Sequence, residues 1–224
     1  MKLSAAQRSA AWQVQSLLLG YPDAQLLDAL PLLRRTAEAL PAAVGAPLQP
    51  LLTRLASAEP LAVATEYVDT FDHRKRFSPY LTWFMYGNTR KRGMGLLRLE
   101  EFYRAAGLVL GNDELSDHLS VMLEFASAHP GLGQQLLEEY RAGIEFMRMA
   151  LRDADSPWTG VLESVSATLA PLRGSERDAV ARLIAAGPPD EGVGLEPFGP
   201  PSHMPEMPQA PAMLGMPEPI GGRR

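Results

Sequence analysis

Apolar residues recur along most of this chain at intervals of three and four positions, which is the spacing of one face of an α-helix. The clearest example is the segment 132–152, which we predict to be a single helix. Its apolar positions are Leu136, Tyr140, Ile144, Met147 and Leu151. No stretch alternates polar and apolar residues over the length of a strand. The pattern therefore predicts an all-α protein.

Helix start and stop signals divide the chain into about nine to ten predicted helices. Ser4 and Gln7 have the spacing of a capping box at the first of them. Asp23 is expected to cap the second, and Pro31 to end that helix, because proline in a helix interior removes a backbone hydrogen bond. Asp117 is expected to cap the apolar helix that follows it.

Composition supports the helical prediction and excludes several kinds of site. The chain has 34 Leu and 30 Ala but only 10 Val and 3 Ile, so helix-forming residues dominate. It contains no cysteine, which excludes disulfides, thiolate metal sites and cysteine nucleophiles. We expect a single-domain helical bundle over residues 1–186.

The last 38 residues differ in composition from the rest. Residues 187–224 contain 10 of the 20 prolines and few large apolar side chains. Such a composition cannot build a packed core, so we expect a disordered Pro-rich C-terminal tail.

No apolar run approaches the roughly 18 residues of a membrane span. Gln7 and Arg8 interrupt the stretch in which a signal peptide would need continuous apolar residues. We therefore expect a cytoplasmic protein without direct membrane insertion.

The middle of the chain is aromatic and basic. Residues 67–86 hold seven of the 16 aromatic residues, and residues 73–104 carry a net charge of +6 against −11 for the remainder. Two interpretations remain open. Either the aromatic residues are core and the charges a solvated surface, or the region binds an acidic, phosphate-bearing or peptide partner.

The basic run Arg90–Arg92 falls at a predicted helix start, where each positive charge is disfavoured by roughly 0.3–1 kcal/mol. We expect compensation by an external anion or by a carboxylate of this chain. The candidate carboxylates are Asp69, Asp72 and Glu114. If the helix instead begins at Met94, the run lies in a loop and the argument weakens.

Glu114, Asp117 and His118 place two carboxylates and an imidazole within five residues. No other histidine stands at a metal-ligand spacing from His118, and no nucleophile or nucleotide-binding motif accompanies the group. The group is therefore interpreted either as a helix start or as a polar recognition site.

In five segments the sequence resembles the NarJ family of nitrate reductase molybdenum-cofactor assembly chaperones, within the TorD-like redox-enzyme maturation proteins. These segments are Tyr67–Asp72, Tyr80–Thr82, Gly87–Gly93, Glu114–Leu119 and Leu123–Ala126. The sequence departs from the family at Ser116 and Ser120, where proline is usual, and at Asn88, where aspartate is common.

The resemblance implies an all-helical cytoplasmic chaperone that is not an enzyme. It would bind the apo catalytic (alpha) subunit of a respiratory nitrate reductase, including its N-terminal segment. No cofactor would be bound permanently, since molybdopterin guanine dinucleotide enters the client. Carried over by motif, the client-binding residues are Glu114, Asp117, His118, Tyr80, Arg90, Arg92 and Asp72.

Other expectations accompany this interpretation. Protonation of His118 near neutral pH is expected to modulate client affinity. Cofactor-delivery proteins are further candidate partners, and the chain is expected to be a monomer or a dimer swapped at the loop 77–80. The alternative functions are a nucleic-acid-binding regulator using the 73–104 patch and an enzyme built on Glu114, Asp117 and His118.

Overall fold

A computed structural model describes residues 3–111 and 114–186. In these residues the chain forms eleven α-helices of six residues or more, one four-residue helix and two short 3-10 turns. The first six helices are α1 (Ala5–Leu18), α2 (Ala24–Ala39), α3 (Ala42–Gly45), α4 (Gln49–Ser57), α5 (Pro60–Phe71) and α6 (Leu81–Tyr86). The other six are α7 (Arg90–Ala105), α8 (Leu119–Ala128), α9 (Pro130–Glu139), α10 (Arg141–Asp153), α11 (Thr159–Thr168) and α12 (Gly174–Ala186).

The described residues contain no strand, so the all-α prediction is confirmed. The predicted caps of the first two helices are also present. Ser4 and Gln7 form both hydrogen bonds of the capping box, and the Asp23 carboxylate accepts from the N–H of Leu26 at 2.9 Å. The proline-rich segment 187–224 lies outside the described residues, and the domain boundary at 186 stays a prediction.

Helix α1 lies at the centre of the fold, against α8 and α11. Three of its polar side chains reach these neighbours. The Trp12 indole N–H donates to Thr168 Oγ1 at 3.0 Å, and Gln15 Nε2 donates to Ser164 Oγ at 2.7 Å. The Ser16 hydroxyl donates to the Ser120 carbonyl at 2.8 Å. Because buried polar groups need partners, these bonds fix the position of α1 in an otherwise apolar core.

The expectation that Pro31 ends the second helix is wrong. Pro31 lies inside α2, and its side chain is exposed. The helix buries Leu26, Leu30 and Leu33 on one face, across the position of the proline. Burial of these leucines offsets the roughly 3 kcal/mol that an internal proline costs.

The single helix predicted over 132–152 is two helices, α9 and α10, which break at Tyr140. The close contact between α9 and α8 fixes the direction of α9. A Cβ at Gly133 would lie 2.2 Å from the Cα of Ala126, so the two backbones nearly touch there. Tyr140 is itself buried, so apolar residues continue at helical spacing through the break. The spacing of apolar residues therefore gives no sign that one helix ends there and another begins.

Candidate functional site

Two loops that are far apart in the sequence meet at this site. Tyr80 and His118 form an isolated antiparallel β-bridge. The N–H of Leu81 donates to the Asp117 carbonyl, and the N–H of Leu119 donates to the Pro79 carbonyl, each at 2.9 Å. The bridge joins the start of α6 to the start of α8. It therefore brings the aromatic segment and the acidic-histidine segment of the sequence into contact.

Asp117 is completely buried, with 0% of its surface exposed. Its Oδ2 accepts from the backbone N–H of Thr82 at 3.3 Å and from the Thr82 hydroxyl, and lies 3.6 Å from Arg92 Nη2. Thr82 is in the first turn of α6, where backbone N–H groups lack helical partners. Asp117 therefore caps α6 rather than the helix that follows it.

This geometry corrects one prediction about Asp117, which does not cap α8. Its carboxylate is buried, and its part in client binding stays a prediction. The physical reason is that the chain between Ser116 and His118 turns toward α6, where an N–H, a hydroxyl and the Arg92 guanidinium offer more partners than the start of α8. Arg92 also donates from Nε to Thr82 Oγ1 at 3.2 Å, which closes the network.

His118 is the residue that caps α8. Its Nδ1 accepts from the N–H of Ser120 at 3.2 Å and lies 2.5 Å from the Ser120 hydroxyl. Burial lowers the pKa of the imidazole from 6.5 to about 4. His118 is therefore neutral at physiological pH, and the expectation that it titrates near neutrality is wrong.

Three of the predicted site residues, Asp72, Tyr80 and Arg92, line one pocket of about 290 Å³, which we call the Tyr80 pocket. Its other lining residues are Phe71, Lys75, Ser78 and Trp83. The Tyr80 ring packs edge-on against the His118 ring, with centroids 5.2 Å apart. The Arg92 guanidinium lies 5.9 Å from the centroid of the Tyr80 ring.

The polar groups of the Tyr80 pocket are mainly hydrogen-bond donors. Burial, together with the charges of Asp117 and Asp72, raises the pKa of Tyr80, so its hydroxyl keeps its proton. Trp83 is 93% buried, and its indole N–H has no hydrogen-bond partner within the described residues. A buried donor without a partner is costly in free energy.

Helix α7 begins at Arg90, so the run Arg90–Arg92 does lie in its first turn. The carboxylate that compensates Arg92 is Asp117, which the sequence analysis did not consider for this role. Asp69 pairs instead with His73 at 3.1 Å. Arg90 is exposed and makes no ion pair within the described part of the chain.

Glu114 lies apart from the Tyr80 pocket. It is exposed, accepts from the N–H of Gly111 at 3.4 Å and lines two concavities beside the segment 108–111. Glu114 and His118 therefore lie at different surfaces, although both belong to the sequence motif Glu114–Leu119. The sequence does not indicate this separation, because it depends on the burial of Ser116 and Asp117, which lie between Glu114 and His118.

Most of the aromatic cluster is core, and part of it also lines a pocket. Tyr67, Phe77 and Phe84 are buried in the core. Phe71 and Trp83 are buried as well, but they also form walls of the Tyr80 pocket. Thr82 and Trp83 are site residues that were not predicted from the sequence. The available signal for Thr82 is its place at the end of the segment Tyr80–Thr82, which resembles the family.

Two kinds of feature are absent from residues 3–111 and 114–186. No group of three or more His, Cys, Asp or Glu side chains is arranged to hold a metal ion there. Each helix in those residues is too short or too polar to span a bilayer.

Residues 37–163 match the family described as "Nitrate reductase delta subunit", and the chain belongs to this family. It is 30% identical to the probable nitrate reductase molybdenum cofactor assembly chaperone NarJ of Bacillus subtilis, over 75% of this chain and 92% of that protein. It is 31% identical to the nitrate reductase molybdenum cofactor assembly chaperone NarJ of Escherichia coli, over 52% of this chain and 51% of that one.

A further relative is the nitrate reductase-like protein NarX of Mycobacterium tuberculosis, which is 39% identical over 70% of this chain. The match spans about a quarter of that protein, 24% of its length. Among solved structures, a putative redox enzyme maturation protein from Archaeoglobus fulgidus superposes with a TM-score of 0.51 at 23% identity, covering 79% of this chain and 93% of that one. This likeness supports the fold alone.

Proposed function

We propose that this chain is an assembly chaperone that binds the apo catalytic (alpha) subunit of a respiratory nitrate reductase and keeps it competent for molybdenum-cofactor insertion and membrane assembly. The names of the two NarJ relatives support this proposal. The structural observation that carries it is the Tyr80 pocket, which is lined by the aromatic side chains of Phe71, Tyr80 and Trp83 and by Arg92.

The N-terminal segment of the client is the proposed occupant of this pocket. One of its apolar side chains packs on the rings of Phe71, Tyr80 and Trp83. A backbone carbonyl or carboxylate of the same segment accepts from Arg92. Asp72 is exposed at the pocket and pairs with a basic client residue. Arg90, which is near Arg92 in the sequence, supplies a second cation for the client.

Asp117 and His118 act through their neighbours in this proposal. Asp117 orients Thr82 and Arg92, and His118 supports the ring of Tyr80. Neither group is free to transfer a proton to a ligand, because Asp117 is buried in an ion pair and the Nδ1 of His118 is engaged with Ser120. The proposed activity is therefore binding and release without a chemical step. The molybdopterin guanine dinucleotide is cargo of the client.

The alternative of a nucleic-acid-binding regulator has less support. Base stacking needs exposed rings, whereas Tyr67, Phe77 and Phe84 of the aromatic segment are buried in the core. Arg76, Arg92 and Arg98 each pair with a carboxylate of this chain, which reduces the charge available for phosphate contacts.

Capture of the client tests the proposed function. The tagged full chain is mixed with nitrate reductase catalytic subunit prepared without molybdenum cofactor, with the mature subunit, and with duplex DNA. The proposal predicts capture of the apo subunit, much weaker capture of the mature subunit and no retention of DNA. Equal capture of both subunit forms, or of neither, contradicts it.

A further inference from the structure

The first half of helix α7 has an exposed face that is both apolar and basic. Met94 and Leu97 are 68% and 52% exposed, and their spacing of three positions makes them neighbours on the helix surface. Arg90 precedes Met94 by about one turn, and Arg90, Lys91 and Gly93 are exposed as well. We call these five residues the α7 face.

Within the described residues, no carboxylate pairs with the cations of the α7 face. Arg90 and Lys91 make no ion pair there. Helix α6, which packs against α7, contains no charged residue. The acidic residues of α7 itself are Glu100 and Glu101, and both follow the α7 face, in the second half of the helix. The positive charge of this face is therefore complementary to an acidic partner.

The cations of the α7 face do not stabilise their own helix. Arg90 and Lys91 are in the first turn of α7, where positive charge is unfavourable because of the helix dipole. Met94 and Leu97 add exposed apolar surface beside these charges. Apolar surface with a polar rim is typical of an interaction site.

Gly93 indicates what kind of partner binds. Glycine inside a helix lowers its stability, so it usually has a packing reason. Gly95 has one within the chain, because a Cβ there would lie 3.0 Å from the ring of Tyr86. Gly93 has none, since a Cβ there would have no atom within 4 Å. The missing side chain at Gly93 lets the backbone of a partner helix approach α7 closely.

We infer that the α7 face binds an acidic amphipathic helix of another polypeptide. The apolar stripe of that helix packs on Met94 and Leu97, its backbone passes over Gly93, and its Asp or Glu side chains pair with the two cations. The inference goes beyond the proposed function, because it requires neither nitrate reductase nor the Tyr80 pocket. Arg90 is shared with the proposed client site, so the test uses the other residues of the α7 face.

Two synthetic helical peptides of about 18 residues test the inference by fluorescence anisotropy with the full chain at low ionic strength. Both have leucine along one face, and the flanking positions are glutamate in one peptide and glutamine in the other. The glutamate peptide should bind at least tenfold more tightly. Its affinity should fall about tenfold in Leu97→Ser and about threefold in Lys91→Gln.

Gly93→Gln separates binding from stability. Glutamine favours the helix and has space at this position, so the Tm should rise, while binding of the glutamate peptide should weaken about tenfold. Gly131→Gln, at an open position in α9, is the matched control and should leave binding unchanged. Equal binding by these two variants overturns the inference.

Other matched controls locate the binding surface. Leu61→Ser, at an apolar residue of α5 that is 80% exposed, and Arg35→Gln, at an exposed cation of α2, should not alter binding of the glutamate peptide. Weakening by Tyr80→Ala would place that peptide in the Tyr80 pocket and overturn the inference. Sedimentation with phosphatidylglycerol vesicles without binding of the glutamate peptide would also overturn it. Failure to capture apo nitrate reductase would contradict the proposed function without changing these results.

Discussion

The carboxylate of Asp117 caps helix α6 by accepting from the backbone N–H of Thr82, which lies 35 residues earlier in the chain. The same oxygen lies 3.6 Å from the guanidinium of Arg92, so one buried carboxylate connects the start of α6, the start of α7 and the loop before α8. The position of Arg92 in the Tyr80 pocket depends on this connection.

Replacement of Asp117 by alanine should therefore destabilise the protein. The change leaves the N–H of Thr82 without a partner and the guanidinium of Arg92 without its carboxylate, and we expect the free energy of unfolding to fall by about 2–4 kcal/mol. Asp117→Asn keeps an acceptor and should cost about half as much. Urea unfolding measures both. A stable Asp117→Ala variant that has lost client binding would show instead that Asp117 contacts the client.

The stability of the protein should fall in mild acid because of His118. Its pKa is about 4 in the folded state and about 6.5 when unfolded, so between these values the unfolded chain binds a proton that the folded chain does not. The contribution of neutral His118 to the free energy of unfolding is fully present above pH 6.5. It is lost as the pH falls toward 4, and the loss amounts to roughly 1–3 kcal/mol.

The variant His118→Asn isolates this contribution, because asparagine caps helices and does not titrate. Its free energy of unfolding should vary less between pH 6.5 and 4 than that of the wild type. Parallel pH profiles for the two proteins would mean that the pKa of His118 is the same in the folded and unfolded states. Client affinity should not depend on His118 titration between pH 7 and 8.

Reversal of the charge of Arg90 should stabilise the protein while weakening client binding. Arg90 is in the first turn of α7, where an acidic residue is favoured, so Arg90→Glu should raise the free energy of unfolding by about 0.3–1 kcal/mol. Arg35→Glu, at an exposed position near the end of α2, should lower it slightly. Thermal unfolding and client titration are measured together. Loss of stability in Arg90→Glu would indicate that Arg90 has an intramolecular partner.

Two glycines of α9 provide a paired test of the contact between α8 and α9. A Cβ at Gly133 would overlap Ala126, whereas a Cβ at Gly131 has no atom within 4 Å. Gly133→Ala should lower the free energy of unfolding by about 2–4 kcal/mol, and Gly131→Ala should raise it by up to about 1 kcal/mol. Equal effects of the two changes in urea unfolding would contradict the close approach of these helices.

Much of the fold could be predicted from the sequence because helix signals are local. The capping box at Ser4 and the cap at Asp23 depend on residues three positions away, and both are present. Pro31 and the break at Tyr140 could not be predicted, since each depends on packing between helices. Leucines on both sides of Pro31 hold α2 together, and the contact of Gly133 with α8 fixes the direction of α9.

The candidate site was predicted less completely for the same reason. The sequence indicated Tyr80, Arg92 and Asp72, which the structure brings together in one pocket. It also grouped Glu114 with Asp117 and His118 because they are neighbours in the chain. Their separation depends on the long-range bridge between Tyr80 and His118, for which a single sequence contains no local signal.

The central claim is that the Tyr80 pocket binds the N-terminal segment of a nitrate reductase catalytic subunit. Isothermal titration calorimetry of the full chain with a synthetic peptide of that segment tests it most directly. We expect saturable binding of one peptide with a Kd between about 1 μM and 1 nM, weakened about tenfold or more by Tyr80→Ala and unaffected by Glu38→Gln. Absence of saturable binding to the folded protein, or equal affinity for wild type and Tyr80→Ala, would contradict the claim.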